Sequence, residues 1–253
     1  DLVGWIAENG SEAIAVTCDV ADREQVDQVA SAAIRRFGRI DTWVNNAGQG
    51  MYGKLDEVSE EDSRRLFDIN FWGVVNGSLA ALPHLKSNGG ALINIGSEVS
   101  EAYAPLLGIY TATKHAVKGY TDVLRVEIED IAKAPVSIRL IQPTAVDTPF
   151  PQHARNYMSQ EPKLPGPMIE PQQVAEAILE AAEHPIRDER VDTTAKINTT
   201  LATLFPGVAD WMAAKQADRQ HYNEAPRHAN GALHQPSETI QITGHTRGSG
   251  GQA

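Results

Sequence analysis

A chain of 253 residues can build one large domain or two small ones. Its 42% hydrophobic and 22% charged content fit a soluble globular protein, and a net charge of −11 argues against nucleic acid or an anionic membrane surface as the main partner. One cysteine, Cys18, rules out an internal disulfide framework and suits the cytoplasm, and no apolar run reaches the about 18 residues of a membrane span.

In chain order, residues 1–9 read as the end of a helix already under way, so the chain reads as a fragment or a processed product. Residues 13–17 are apolar and rich enough in β formers to be a short strand. Residues 22–37 place Val26, Val29, Ala30, Ala33, Ile34 and Phe37 at helical spacing. Asp22 and Gln25 have the spacing of a capping box, and Gly38 stands where a helix stops. Residues 40–44 follow as a strand. Ser59 opens a long helix through about residue 85. Residues 91–95 are a strand apolar on both faces, 106–131 a second long helix, 136–141 a strand and 174–182 a short helix. Residues 190–196 read as a weak last strand. Leu201, Leu204, Phe205, Val208 and Trp211 give 201–212 an apolar face, expected to bury against this chain, while Pro206 breaks the helix or starts a second one. From Asn223 on, polar, Gly, Pro, His and Ser residues predict disorder. The expected organisation is therefore a main domain at 1–198, a helical extension at 199–222 and a disordered tail at 223–253.

Strands alternating with helices predict a parallel α/β sheet covered on both faces. Ligands of such sheets bind beyond the carboxyl ends of the strands. Small and polar residues follow each strand there: Asp19 and Val20, then residues 45–48, then Gly96 and Ser97, then residues 143–148. In the helix at 106–131, Tyr110 and Lys114 lie one turn apart on one face. A phenol beside an ammonium is either a solvated surface pair or a proton donor being tuned.

Asn46-Ala47-Gly48, Asn70, Ser97, Tyr110-x-x-x-Lys114 and residues 143–148 together resemble the short-chain dehydrogenase/reductase family, in order from Asp1 to about Ala182. Tyr-x-x-x-Lys alone is common. With a serine thirteen residues upstream and an Asn-Ala-Gly turn, the set is specific. The resemblance implies a Rossmann-like doubly wound parallel sheet, truncated at its N-terminus because the first two family strands are absent. It implies hydride transfer between NADP(H) or NAD(H) and a small-molecule alcohol or carbonyl compound, with a tilt towards NADP. Tyr110 would be the general acid in reduction and general base in oxidation, its pKa lowered by Lys114 directly or through the ribose. Ser97 would hold the substrate oxygen, and Asn70 a water that relays protons from Lys114. Asp19 and Val20 would contact the adenine, and Asn46, Ala47 and Gly48 would line the adenosine side. Tyr110, Lys114, Val146 and Thr148 would meet the nicotinamide end.

Plainer readings stand beside these. Asn70 pairs with a neighbouring turn, Asp19 caps the next helix, and Thr148 is a turn residue. Cys18 and His115 take structural roles, and no metal site is expected. Thr144 stands where the family has glycine. The strand, glycine-rich turn, helix and strand that open the family are not found, so the choice between NAD and NADP is not readable. Residues 13–17 and 40–44 should then flank a gap of roughly 14 Å, unpaired with each other, in a poorly stable chain that binds cofactor weakly. Residues 149–171, with Tyr157 and Met158 in the middle, should close over the substrate. The two long helices should build a homodimer or homotetramer of the full-length protein. The rival reading is a non-catalytic interaction or scaffold protein that lost the phosphate-binding turn.

Overall fold

The computed structural model describes residues 2–184 and 186–236. Helix α1 spans Leu2–Glu8 and α2 spans Arg23–Phe37. The Asp22 carboxylate caps α2 by accepting from the backbone of Glu24 and Gln25. The reciprocal half of the expected box goes elsewhere, because Gln25 Oε1 accepts from Asp19 N–H at 2.9 Å. Gly38 closes the helix in the left-handed conformation, at φ 82°.

Strand β1 is Thr42–Asn45 and β2 is Met51–Tyr52. The long helix after Ser59 forms in three pieces: α3 at Glu60–Phe67, a π-turn at Asp68–Trp72 and α4 at Gly73–Asn88. Strand β3 is Gly90–Ile95, and a 3₁₀ turn at Glu98–Ser100 follows it. Helix α5 is Gly108–Arg125 and runs into a second π-turn at Val126–Ile131. Then come β4 at Val136–Pro143, α6 at Phe150–His153, β5 at Arg155–Asn156 and α7 at Pro171–Glu183. The described part closes with β6 at Asp188–Val191, α8 at Thr193–Leu204 and α9 at Pro206–Ala217.

The main sheet is parallel throughout, in the order β1-β3-β4-β6. The two inner strands are buried on both faces, as expected for a sheet sandwiched between helices. On one face Leu92 and Ile138 meet α2, α4 and α5 through Ala30, Leu85 and Leu124. On the other, Ala91, Ile93 and Ile141 meet α7 through Ala181. Gly90 fixes the start of the β1–β3 pair. At φ 142° a Cβ there would stand 2.2 Å from the Asp41 carbonyl oxygen.

Four expectations change. Residues 13–17 form no strand. Among the described residues no ladder joins them to β1, and Ile14 and Val16 stay about two-fifths exposed, at 40% and 39%. An apolar run becomes a strand only when a neighbour takes its backbone groups. The last strand ends at Val191, because Asp192, at φ 81°, caps α8 through its carboxylate to the Thr194 N–H. The apolar face expected at 201–212 divides: Leu201 and Met212 line a cavity, while Leu204, Phe205, Val208 and Trp211 face outward. Pro206 starts the second helix there.

The fourth change concerns residues 223–236, which pack rather than trail away. Asn156 N–H donates to Ala229 C=O at 2.8 Å, His234 Nε2 pairs with Asp62 Oδ1 at 2.7 Å, and Leu233 is buried against Met51, Leu66 and Ile69. The rest of the expected tail, 237–253, lies outside the described residues. The β2–β5 pair was not anticipated either, being two residues long on each side. Among the described residues no helix is long and apolar enough to cross a membrane.

Candidate active site

The carboxyl ends of β3 and β4, the start of α5 and the α8–α9 pair enclose a cavity of about 260 Å³. Asn46, Gly48, Ser97, Tyr110, Lys114, Val146 and Thr148 all reach its wall. Asp19, Val20 and Ala47 are not part of that wall. Asp19 instead joins elements: Oδ2 accepts from Arg65 Nη2 at 2.7 Å and Oδ1 from Ala21 N–H at 3.0 Å. Val20 packs on α4, where a Cβ on Gly73 would come within 2.7 Å of it.

Ser97 leaves β3 in an extended conformation and caps the short turn after it. Its side chain lines the cavity beside Tyr110 and acts on the phenol. The Tyr110 ring stands edge-on to Phe150, with centroids 5.4 Å apart. Burial lifts the phenol to about 12, Ser97 opposes that, and the Glu98 charge adds to it. Lys114 Nζ lies 5.7 Å from the centre of the Tyr110 ring and donates to Ile95 C=O at 2.8 Å. Its own burial brings the ammonium down to about 8. The expected depression of the tyrosine by the lysine is thus reversed. In this desolvated corner burial is the largest influence on both, and each group is pushed towards its neutral form.

Asn70 stands one layer behind the cavity and is fully buried. Its Nδ2 donates to Gln49 C=O at 2.9 Å and Thr113 Oγ1 at 3.1 Å, while its Oδ1 accepts from Gln49 N–H at 2.8 Å. The side chain therefore pins the turn after β1, as its plainer reading holds. Thr148 Oγ1 reaches only its neighbour's carbonyl, Val146 C=O, at 3.4 Å. Thr144 is buried, and its side chain acts on the Glu98 carboxylate, lowering its proton affinity.

The nicotinamide end of a dinucleotide fits these residues. Gly48 lines the cavity next to the lysine: a Cβ there would stand in ordinary contact with Asn70 Oδ1, at 3.4 Å, and Lys114 Nζ, at 3.8 Å. Lys114 spends one of its three N–H donors on Ile95 and belongs to the cavity wall. Among the described residues no strand-to-helix turn carries clustered glycines, so the fit covers that end alone.

Beyond the expected residues, the wall includes the polar side chains of Glu98, Tyr103, Thr144, Asn198, Gln216 and Gln220. An acid directly after Ser97, at the carboxyl end of a strand, was a signal available in the sequence. Asn198 and Gln220 arrive from α8 and from beyond α9, with no spacing that ties them to the site.

Residues 2–158 match the family described as short chain dehydrogenase. The chain belongs to that family. An uncharacterized oxidoreductase of Bacillus subtilis, YxnA, is 42% identical over 229 residues, which is 89% of this chain and 64% of the Bacillus protein. This chain thus spans less than two thirds of that relative's length. A short-chain dehydrogenase/reductase from Burkholderia phymatum in complex with NAD superposes with a TM-score of 0.72 at 25% identity, over 81% of this chain and 80% of that one. A short chain dehydrogenase from Burkholderia cenocepacia in complex with NADP gives 0.64 at 27% identity, over 80% of each chain. Both cofactors thus occur among structures of this fold, and the short-chain dehydrogenase assignment rests on more than half of the present chain.

Proposed function

We propose that this short-chain dehydrogenase is an NAD(P)-dependent oxidoreductase that interconverts an alcohol and a carbonyl compound, with Tyr110 as general acid and base. The observation that carries the reading is the meeting of Ser97, Tyr110 and Lys114 in the wall of one cavity, with the Lys114 Nζ 5.7 Å from the centre of the Tyr110 ring. When bound, the nicotinamide supplies the hydride to the carbonyl carbon, or accepts it in the reverse direction. The Ser97 hydroxyl holds the substrate oxygen as negative charge develops there. The Tyr110 phenol gives its proton to that oxygen in reduction, and the phenolate takes one back in oxidation. The nearby Lys114 ammonium favours that phenolate while it exists. Val146 and Thr148 would hold the cofactor's nicotinamide end, and Asn46 and Gly48, expected on the adenosine side, line the same cavity and would hold the adjoining part of the cofactor.

The test is consumption of NADPH or NADH by the purified protein against a panel of ketones and aldehydes, with product alcohol formed in equal amount. A scaffold protein would consume neither cofactor with any of them.

A further inference from the structure

Two acceptors in the far wall of the cavity, the Glu98 carboxylate and Gln220 Oε1, have no cation paired with them among the described residues. Glu98 follows Ser97 directly, and its carboxylate lines the same space as Tyr110. Its hydrogen-bond partner is a neutral donor, Asn198 Nδ2 at 2.9 Å, Thr144 also acts on it, and the charge that acts on it is another acid, Asp192. A carboxylate removed from water without a cation is costly, and a ligand that brings one removes the cost. Gln220 makes a second and independent observation. It is 1% exposed and lines the cavity, and its Nε2 donates to Pro105 C=O at 2.9 Å. Its Oε1 is a buried acceptor with no donor. Tyr103 and Gln216 also line this wall, and its aliphatic part comes from Leu201 of α8, Met212 of α9 and Leu164 from the connection before α7.

We propose that the substrate is an amino alcohol or amino ketone, its ammonium group beside the reacting carbon and held by Glu98, with an aliphatic tail under α8 and α9. Gln220 Oε1 accepts a further N–H or O–H of the same molecule. Ser97 and Tyr110 take the oxygen, and the Glu98 carboxylate lines the same cavity, near enough for its charge to act on the Tyr110 phenol. This inference rests on the reading of the site as an alcohol–carbonyl oxidoreductase.

Calorimetric titration of the full chain tests it without turnover. The ligands are a vicinal amino alcohol with a hexyl tail, its N-acetyl derivative, and the same alcohol with hydrogen in place of the amine. The amino alcohol should bind about 10- to 100-fold tighter than the other two, the range for a hydrogen bond to a charged partner. In Glu98→Gln that ratio should fall to near one. Equal binding of the three ligands, or binding of none, overturns the proposal. So does a ratio that persists in the variant. If the variant fails to fold, the N-acetyl comparison on the native chain decides. Selective amine binding without hydride transfer would sink the oxidoreductase reading alone. Equal turnover of amino and plain ketones would sink this inference alone.

Discussion

Tyr110 and Lys114 share a corner poor in water, and burial sets the proton affinity of each. With the phenol at about 12 and the ammonium at about 8, both keep their protons at neutral pH, so the pair is poised to donate. Tyr110→Phe should lower turnover by about 10²–10⁴ while cofactor affinity survives, and near-normal turnover would remove the phenol from its role. Lys114 also predicts a pH dependence. Its folded pKa lies below its unfolded value, so between about pH 8 and 10.5 the unfolded chain binds more protons and stability rises with pH. Lys114→Met relieves a penalty on the order of 3 kcal/mol at pH 7, less about 1 kcal/mol for the lost bond to Ile95. Urea midpoints should favour the variant at neutral pH and converge with native near about pH 10; a gap that widens with pH contradicts the assignment. The Ser97, Tyr110 and Lys114 set was legible because helical spacing and order along the chain carry it. The direction of the tyrosine shift was not, because burial is a property of the assembled cavity. Glu98 was readable beside Ser97, whereas Asn198 and Gln220 reach the wall only through tertiary packing.

At the scale of elements, the helices and inner strands followed from periodicity, and the failures lie where a partner or a single backbone angle decides. Residues 13–17 have the composition of a strand and lack a neighbour, and residues 190–196 are cut short by the turn at Asp192. The segment 223–236 reads as a polar tail, yet it carries Leu233 into a cluster with Met51, Leu66 and Ile69. Leu233→Ala should therefore cost about 2–4 kcal/mol. A loss under a few tenths, read from thermal unfolding, would show that this segment contributes nothing to the fold. The approach of α4 to β1 supplies a sharper test. Asn45 Nδ2 donates to Asn94 Oδ1 at 2.8 Å, Asn94 Nδ2 donates to Thr121 Oγ1 at 2.9 Å, and Trp43 Nε1 donates to Asn45 Oδ1 at 2.8 Å. This polar chain crosses beneath Gly77, where a Cβ would stand 1.9 Å from Asn45 Oδ1. Gly77→Ala must push α4 away or break the chain, and we expect a loss of about 1–3 kcal/mol despite the better helix propensity of alanine. A raised melting temperature would mean that propensity wins.

Over the whole molecule, two outward apolar surfaces compete as the place where a second copy docks. One is the outer side of α4 and α5, which pack together through Val74, Val117 and Tyr120. It leaves Trp72, Leu79, Val123 and Val126 between 43% and 59% exposed. The other is the α8–α9 pair, with Leu204, Phe205, Val208 and Trp211 between 49% and 63% exposed. The first surface is carried by the two longest helices, of 16 and 18 residues, which give an extended and rigid face. The second is a hairpin of two 12-residue helices, and the Lys215 ammonium already stacks 3.9 Å from the Trp211 ring, which masks part of it. Large exposed apolar patches mark interaction sites, and a stable interface needs roughly 800 Å² from each partner. We predict a homodimer or homotetramer joined through α4 and α5. Light scattering at micromolar concentration should show the assembly, and Leu79→Glu with Val123→Glu should reduce it to monomer by placing buried like charges across a two-fold contact. Phe205→Glu with Trp211→Glu should leave it intact. A native monomer contradicts the prediction, and dissociation by the second pair alone would move the interface to α8 and α9.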